Sequence, residues 1–423
     1  MSHTLRGSAV LLSALILVGA GERREPVESW PEFRGPTGQG LSTAKEVPLR
    51  WGRQQNVVWT RAIPGKGWSS PIVQAGKVYL TTAVPRSRKG DAGPQSLQAL
   101  ALDARTGKPL WTREVFRQGK ARIHSKNSHA SPTPLTDGEY LYVHFGTNGT
   151  ACLDLKGKVI WRNTKLRYKP AHGNGGSPAL VGDSLVVNCD GSDVQFVASL
   201  NRRTGKIRWK KNRGLRPKKG FSFSTPLGIE VDGEQQVISS GSGGVISYDP
   251  HDGRQIWKVR YGDGYSVVPG PVHGQGLVFV CTGFDRPSLL AIRPDGHGDV
   301  TETHVVWRTD RGVPHNPVPL VVDTELYFVS DKGVASCLDA RTGKPIWQER
   351  VLRGNFSASP VYADGRIYFQ SEGGEGIVVE ASKEFRLLAR NSLEERSLAS
   401  YAVLDGALFI RTQKHLYRLG DED

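Results

Sequence analysis

Methionine is nearly missing from this 423-residue chain, which has one, and cysteine is scarce, with four. After residue 30 no stretch sustains the 3.6-residue apolar periodicity of packed helices, which excludes a helical bundle. No CxxC is present, so a zinc ribbon is excluded, and the absence of CxxCH excludes covalent haem attachment. The Walker phosphate-loop spacing is also missing. Acidic residues are short: 41 Asp and Glu against 56 Lys and Arg leave a formal charge of +15. Glycine is plentiful at 50, which suits tight hairpins over a β-branched interior.

The N-terminus differs in kind from the rest. Arg6 precedes the apolar run Ala9–Val18, and Val18-Gly19-Ala20 offers a cleavage point. That layout predicts a secretory signal peptide over residues 1–20, with an extension over residues 21–55. The run is short for a membrane span. No cysteine lies beside the cleavage point to carry a lipid. Export argues against nucleic acid as the partner of the basic surface and points to a periplasmic or secreted protein. The four cysteines fall in two pairs of equivalent sites, Cys152 with Cys337 and Cys189 with Cys281. Equivalent sites in separate repeats lie beyond disulfide reach, so buried free thiols are expected.

What the chain does have is a repeated sentence ending in tryptophan. ALALDARTGKPLW closes at Trp111, ACLDLKGKVIW at Trp161, SLNRRTGKIRW at Trp209, SYDPHDGRQIW at Trp257 and SCLDARTGKPIW at Trp347. Trp59 and Trp307 end shorter copies, and the steps from Trp59 to Trp347 are 52, 50, 48, 48, 50 and 40 residues. A period near this length, built from strands and turns alone, predicts a radial β array. Each copy opens on a Pro-containing segment (SSPIV, ASPTPL, GGSPAL, FSTPL, VPGPV, NPVPL, SASPVY), where proline starts a strand. Alternating strands and a DxxTGK hairpin turn follow, giving four antiparallel strands per copy. The last copy, residues 401–419, has only three. The unattached strand at 56–60 supplies its fourth and closes the ring. Eight blades follow, with seven as the alternative count, and residues 56–420 form the propeller. The tryptophans are expected between blades.

The repeat G-x-(V/L)-Y-(V/L)-x…A-L-D-x-x-T-G-K-x-x-W resembles the pyrroloquinoline-quinone (PQQ) repeat over about residues 56–420. WPEFRGPTGQG at 30–40 is similar to the opening of secreted bacterial propellers of that kind. The resemblance implies the all-β eight-bladed fold. That fold serves quinoprotein dehydrogenases and also a non-enzymatic subunit of the outer-membrane barrel-assembly machinery. In the dehydrogenases one face carries a quinone and a calcium ion. On this chain the corresponding loops bring Trp68, His129, His172, Asn174, His315 and Asn316 to a funnel, as ligand-binding candidates. Asp190, Asp285 and Glu372 are the candidates for catalysis or calcium, with Trp68 or Phe284 as a stacking floor. Several such enzymes use a disulfide of adjacent cysteines, and none of these cysteines is adjacent to another.

The expected function is therefore an exported scaffold of the cell envelope with no cofactor, binding an envelope protein or small ligand at the funnel. A PQQ- and calcium-dependent dehydrogenase of alcohols or sugars is the alternative. Lys108, Lys158, Lys206, Arg254 and Lys344 follow the same turn of successive repeats, on the face opposite the funnel. They suggest a third reading, a module for acidic glycans or other anionic polymers. No transmembrane span is expected once the signal is removed.

Overall fold

The computed structural model describes residues 1, 29–88 and 90–420, so the expected signal peptide beyond Met1 lies outside the described residues. Eight antiparallel sheets are arranged as blades 1 to 8. Their first strands are Ile72–Gln74, Leu135–Thr136, Ala179–Val181, Leu227–Val231, Val272–Gly274, Leu320–Val322, Val361–Ala363 and Ala402–Leu404. First strands of neighbouring blades pack on each other, which puts them at the axis. No described helix is long and apolar enough to cross a membrane.

The ring closes as the repeat count requires. Val57–Ala62 is the outer strand of blade 8, with Val57 opposite Leu419 and Ala62 opposite His415. Blade 4 departs from the four-strand plan. Gly298–Asp299 adds a fifth strand, parallel to the outer strand at Trp257 and Lys258. The insertion that replaces the DxxTGK turn of blade 5 supplies it and covers an edge that would otherwise be open.

The tryptophans join blades by one repeated contact. The Trp59 indole donates to the Ala104 carbonyl (3.0 Å), Trp111 to Leu155 (3.0 Å), Trp161 to Arg202 (2.9 Å) and Trp209 to Pro250 (3.0 Å). Each acceptor sits in the third hairpin turn of the next blade. Asp103 shapes that turn by accepting the Thr106 N–H and hydroxyl, both at 2.7 Å. Gly107 completes it at φ +66°, and a Cβ there would lie 2.7 Å from the Trp59 ring. Glycine is required for both reasons, conformation and close approach. Trp257 is the exception. It is fully buried and donates to Gln236 of its own blade (2.9 Å), because the blade 5 insertion leaves no such turn to accept it. Trp111 and Trp307 are half-buried rather than buried. The four cysteines are free and buried, as expected from their repeat positions.

The extension proves to be part of the ring. Trp30 pairs with Val73 of blade 1, and the Pro31 carbonyl accepts the Thr136 N–H of blade 2 (2.9 Å). Gln39 accepts the His273 N–H of blade 5 (2.6 Å), and the Gly40 carbonyl accepts the Tyr362 N–H of blade 7 (2.8 Å). Arg34, 1% exposed, donates to the carbonyls of Gln39 (2.6 Å), Pro319 (2.8 Å) and Pro360 (3.2 Å). Burial without a carboxylate pulls its guanidinium down to about 9. The segment thus lies across the axis and stoppers the lower end of the central channel. Further on, Trp51 stacks on Tyr368 with ring centres 6.2 Å apart, wedging blades 7 and 8.

Candidate functional site

Two cavities share the axis, divided by Phe33 of the stopper. The lower one, about 180 Å³, is lined by Glu32, Arg34 and Gly38 with the first strands of blades 3 and 4 and with Gly270 and Pro271 at the start of blade 5. Burial pushes the half-buried Glu32 carboxyl up to about 8. A raised pKa in the folded chain means that stability is full below the ordinary carboxylate range and is lost as pH rises through about 8. Glu32→Gln is expected to remove this loss, about 2–3 kcal/mol between pH 6 and pH 9. Urea midpoints at the two pH values check it, and an unchanged pH dependence refutes it.

The upper cavity, the funnel, has a volume of about 600 Å³. Its throat is a belt of hydroxyls contributed by the residue just before the strand-starting proline of each repeat, or by its equivalent. The Ser70 N–H donates to Thr133 Oγ1 (2.9 Å), Thr133 to Ser177 (2.9 Å) and Ser177 to Thr225 (3.0 Å). On the other side Val318 donates to Ser359 (3.1 Å), Ser359 to Ser400 (2.9 Å) and Ser400 back to Ser70 (3.0 Å). Each bond crosses from one blade to the next. The belt breaks at blades 5 and 6, where Gly270 and Val318 take the position.

Above the throat, aromatic rings form an arc around part of the mouth. His124 and His172 stand 5.2 Å apart, and His172 and Phe221 5.0 Å. The arc continues through Tyr265 (5.7 Å from Phe221) and Phe284 (5.8 Å from Tyr265) to His315 (5.3 Å from Phe284). Burial, with His124 and Lys219 nearby, pulls the His172 imidazole below the usual histidine range, so it is neutral at pH 7. Lys219 lies over the Tyr265 ring at 4.4 Å. Across the mouth the Arg396 guanidinium lies 5.6 Å from the Trp68 ring centre. Phe284 is 51% exposed at the rim.

Of the residues named from sequence, Trp68, His172, His315 and Asn316 line the funnel. His315 and Asn316 both donate to Asp331, His315 through its backbone N–H at 2.6 Å. His129 and Asn174 are buried behind the wall. His129 bonds Gln118 (2.8 Å), and Asn174 accepts from Tyr168 (3.1 Å). Asp190 is inside blade 3, in a two-bond pair with Arg213 at 2.6 and 2.7 Å. Glu372 accepts the Ser357 hydroxyl (2.6 Å) and pairs with Lys126 (2.7 Å). Asp285 is exposed beside Phe284, with its backbone at φ +87°. The three carboxylates therefore do not meet.

A calcium-bound quinone requires several oxygen ligands around one ion. Among the described residues no three His, Cys, Asp or Glu side chains are grouped to hold a metal. Asp190, Asp331 and Glu372 are already engaged by Arg213, His315 with Asn316, and Lys126. The donor set does not fit that cofactor pair, and no step is derived through it. The five turn cations Lys108, Lys158, Lys206, Arg254 and Lys344 are exposed, and none lines the funnel.

The sequence missed the hydroxyl belt, whereas His172, Phe284 and His315 of the aromatic arc were already among its candidates. The belt had a visible signal, Ser or Thr before the proline in SSP, TP, GSP, STP and ASP. Those segments read as strand starts, and the neighbour of each hydroxyl is another repeat.

Comparison with known proteins follows the same lines. The family described as outer membrane protein assembly factor BamB matches residues 52–187, 193–298 and 296–414. The factor of that name from Burkholderia pseudomallei is 24% identical over 370 residues, spanning 84% of this chain and 85% of the relative. The crystal structure of BamB from Moraxella catarrhalis superposes with a TM-score of 0.61 at 13% identity, covering 86% of this chain and 97% of that one. Quinohemoprotein alcohol dehydrogenase from Comamonas testosteroni gives 0.67 at 10% identity, covering 93% and 80%. At such identities the structural likeness speaks for the fold alone.

Proposed function

The chain belongs to the family of outer membrane protein assembly factor BamB, and from that premise we propose that it is an envelope scaffold which holds a partner protein in its funnel. The observation that carries the proposal is the mouth itself. An open arc of rings with an exposed phenylalanine at its rim offers apolar and edge-to-face contacts suited to side chains of a partner. Of the carboxylates in and behind its wall, Asp190 is held by Arg213, Glu372 by Lys126 and Ser357, and Asp331 by His315 and Asn316. A cavity of about 600 Å³ with one stoppered end accepts a loop or chain end better than it passes one.

The test places a photo-reactive phenylalanine analogue at Phe284 in cells that natively make the protein. Illumination should give one adduct of discrete mass, absent when Phe221→Asp is also present and the melting curve is unchanged. Turnover of an alcohol or sugar, measured by dye reduction after adding PQQ and calcium, would instead make the protein an enzyme.

A further inference from the structure

We propose that the throat of the funnel receives the free carboxylate of an aromatic residue, whose ring lies against the aromatic arc. This rests on the reading of the funnel as the binding surface. The argument begins with the protons of the belt. Each of its six hydroxyls accepts a backbone N–H from the preceding blade. A hydroxyl also donates once. No acceptor for any of these six protons occurs among the described residues, although all six residues line the cavity. Five of them, Ser70, Thr133, Ser177, Ser359 and Ser400, are at most 4% exposed. Donors held in a ring and fixed by the backbone call for a ligand group that only accepts. An ionised carboxylate does this, with two oxygens and about four lone-pair sites.

Charge points the same way. Lys219 contacts the Tyr265 hydroxyl (3.1 Å), Lys332 the Asn355 side-chain Oδ1 (3.1 Å) and Arg396 the Ser125 backbone carbonyl (3.2 Å). None of the three has a carboxylate partner among the described residues. Lys126, Lys219 and Lys332 line the cavity against the single carboxylate of Asp331, so the mouth carries a cationic excess above a neutral, donor-rich throat. That gradient favours a singly charged group that sheds part of its water on entering. The rings from His172 to His315 then set the chemistry of the ligand's body, which must offer a flat apolar face or edge.

Two sources share this chemistry: a free aromatic acid, and a peptide whose last residue is aromatic. Calorimetric titration of the full chain would use N-acetylphenylalanine, its amide, and a hexapeptide ending in phenylalanine in acid and amide forms. Each acid should bind at least tenfold more tightly than its amide. Lys219→Met should weaken both acids severalfold without altering the melting curve. A hexapeptide acid binding at least tenfold more tightly than the single residue identifies a chain end, and equal affinities identify a small acid. Thr225→Val should reduce the acid–amide difference, because it removes one of the six donors. Because that variant also unpairs the Ser177 N–H, the change made on the ligand is the decisive arm. Acid and amide binding alike, or phenyl phosphate binding more tightly than the acids, would overturn the proposal. So would a failure of all four probes to bind at about 1 mM. A Phe284 adduct that persists when the acids fail to bind refutes the carboxylate throat and leaves the scaffold reading standing. Competition of that adduct by the hexapeptide acid supports both.

Discussion

Replacing residues 57–62 with glycine and serine of equal length should abolish the cooperative melt of the whole molecule. Val57–Ala62 is the outer strand of blade 8, and its removal bares the ladder along His415–Leu419. It also takes Trp59 from its seat on Gly107 of blade 1, opening the joint between the last blade and the first. Loss of one buried tryptophan costs about 3–5 kcal/mol. That alone rivals the 5–15 kcal/mol by which a domain is typically stable. An exposed, unpaired edge then invites association. Thermal melting with size-exclusion chromatography checks the outcome. A monomer melting at the temperature of the unaltered chain would show that the joint contributes little.

Asp190→Asn should destabilise the protein by about 3–5 kcal/mol, the cost of leaving one partner of a buried ion pair uncompensated. The side chains of Arg213 and Asp190 are 1% and 0% exposed, and two short hydrogen bonds join them. Burial raises the Asp190 carboxyl and the guanidinium pulls it back. Arg213 also donates to Ser239 Oγ (3.0 Å), which donates in turn to Asn188 (2.6 Å). The pair thus ties blade 3 to blade 4. Replacing both partners, Asp190→Asn with Arg213→Met, should recover part of the loss. Urea denaturation measures it. A single variant as stable as the parent would return Asp190 to the list of groups free for chemistry.

The propeller was legible because its signals are local and repeat. Proline, the Asp-x-x-Thr-Gly-Lys turn and tryptophan each mark one place in a blade, and seven copies make the period plain. The incomplete last copy even disclosed how the ring closes. The fifth strand of blade 4 was not legible, since it arises where the repeat of blade 5 is interrupted. The stopper was seen only as a motif. WPEFRGPTGQG acquires meaning through Val73, Thr136, His273, Pro319 and Tyr362, five separate blades that no local pattern connects to it. The site was the least legible part. Trp68, His172, His315 and Asn316 reach the funnel, whereas Asp190, on what reads as a funnel loop, turns inward to Arg213. Loop position selects the face of a propeller. Which way a side chain turns there depends on a neighbouring strand distant in sequence.

The stopper and the closing strand stand next to each other at the start of the chain, yet their partners run to its far end. Val57 of the closing strand pairs with Leu419, at the end of the last blade. Contacts of such separation make folding slow, because the entropy of closing the loop is spent before any contact rewards it. A stretch made before any of the blades is therefore among the last to find its place. Until the final blade emerges, Trp30, Trp51 and Trp59 have only part of their seats, and the chain presents them to whatever accompanies it. The delay keeps the chain unlocked until the strands of blade 8 are available, and the ring then shuts around its own stopper in one late step.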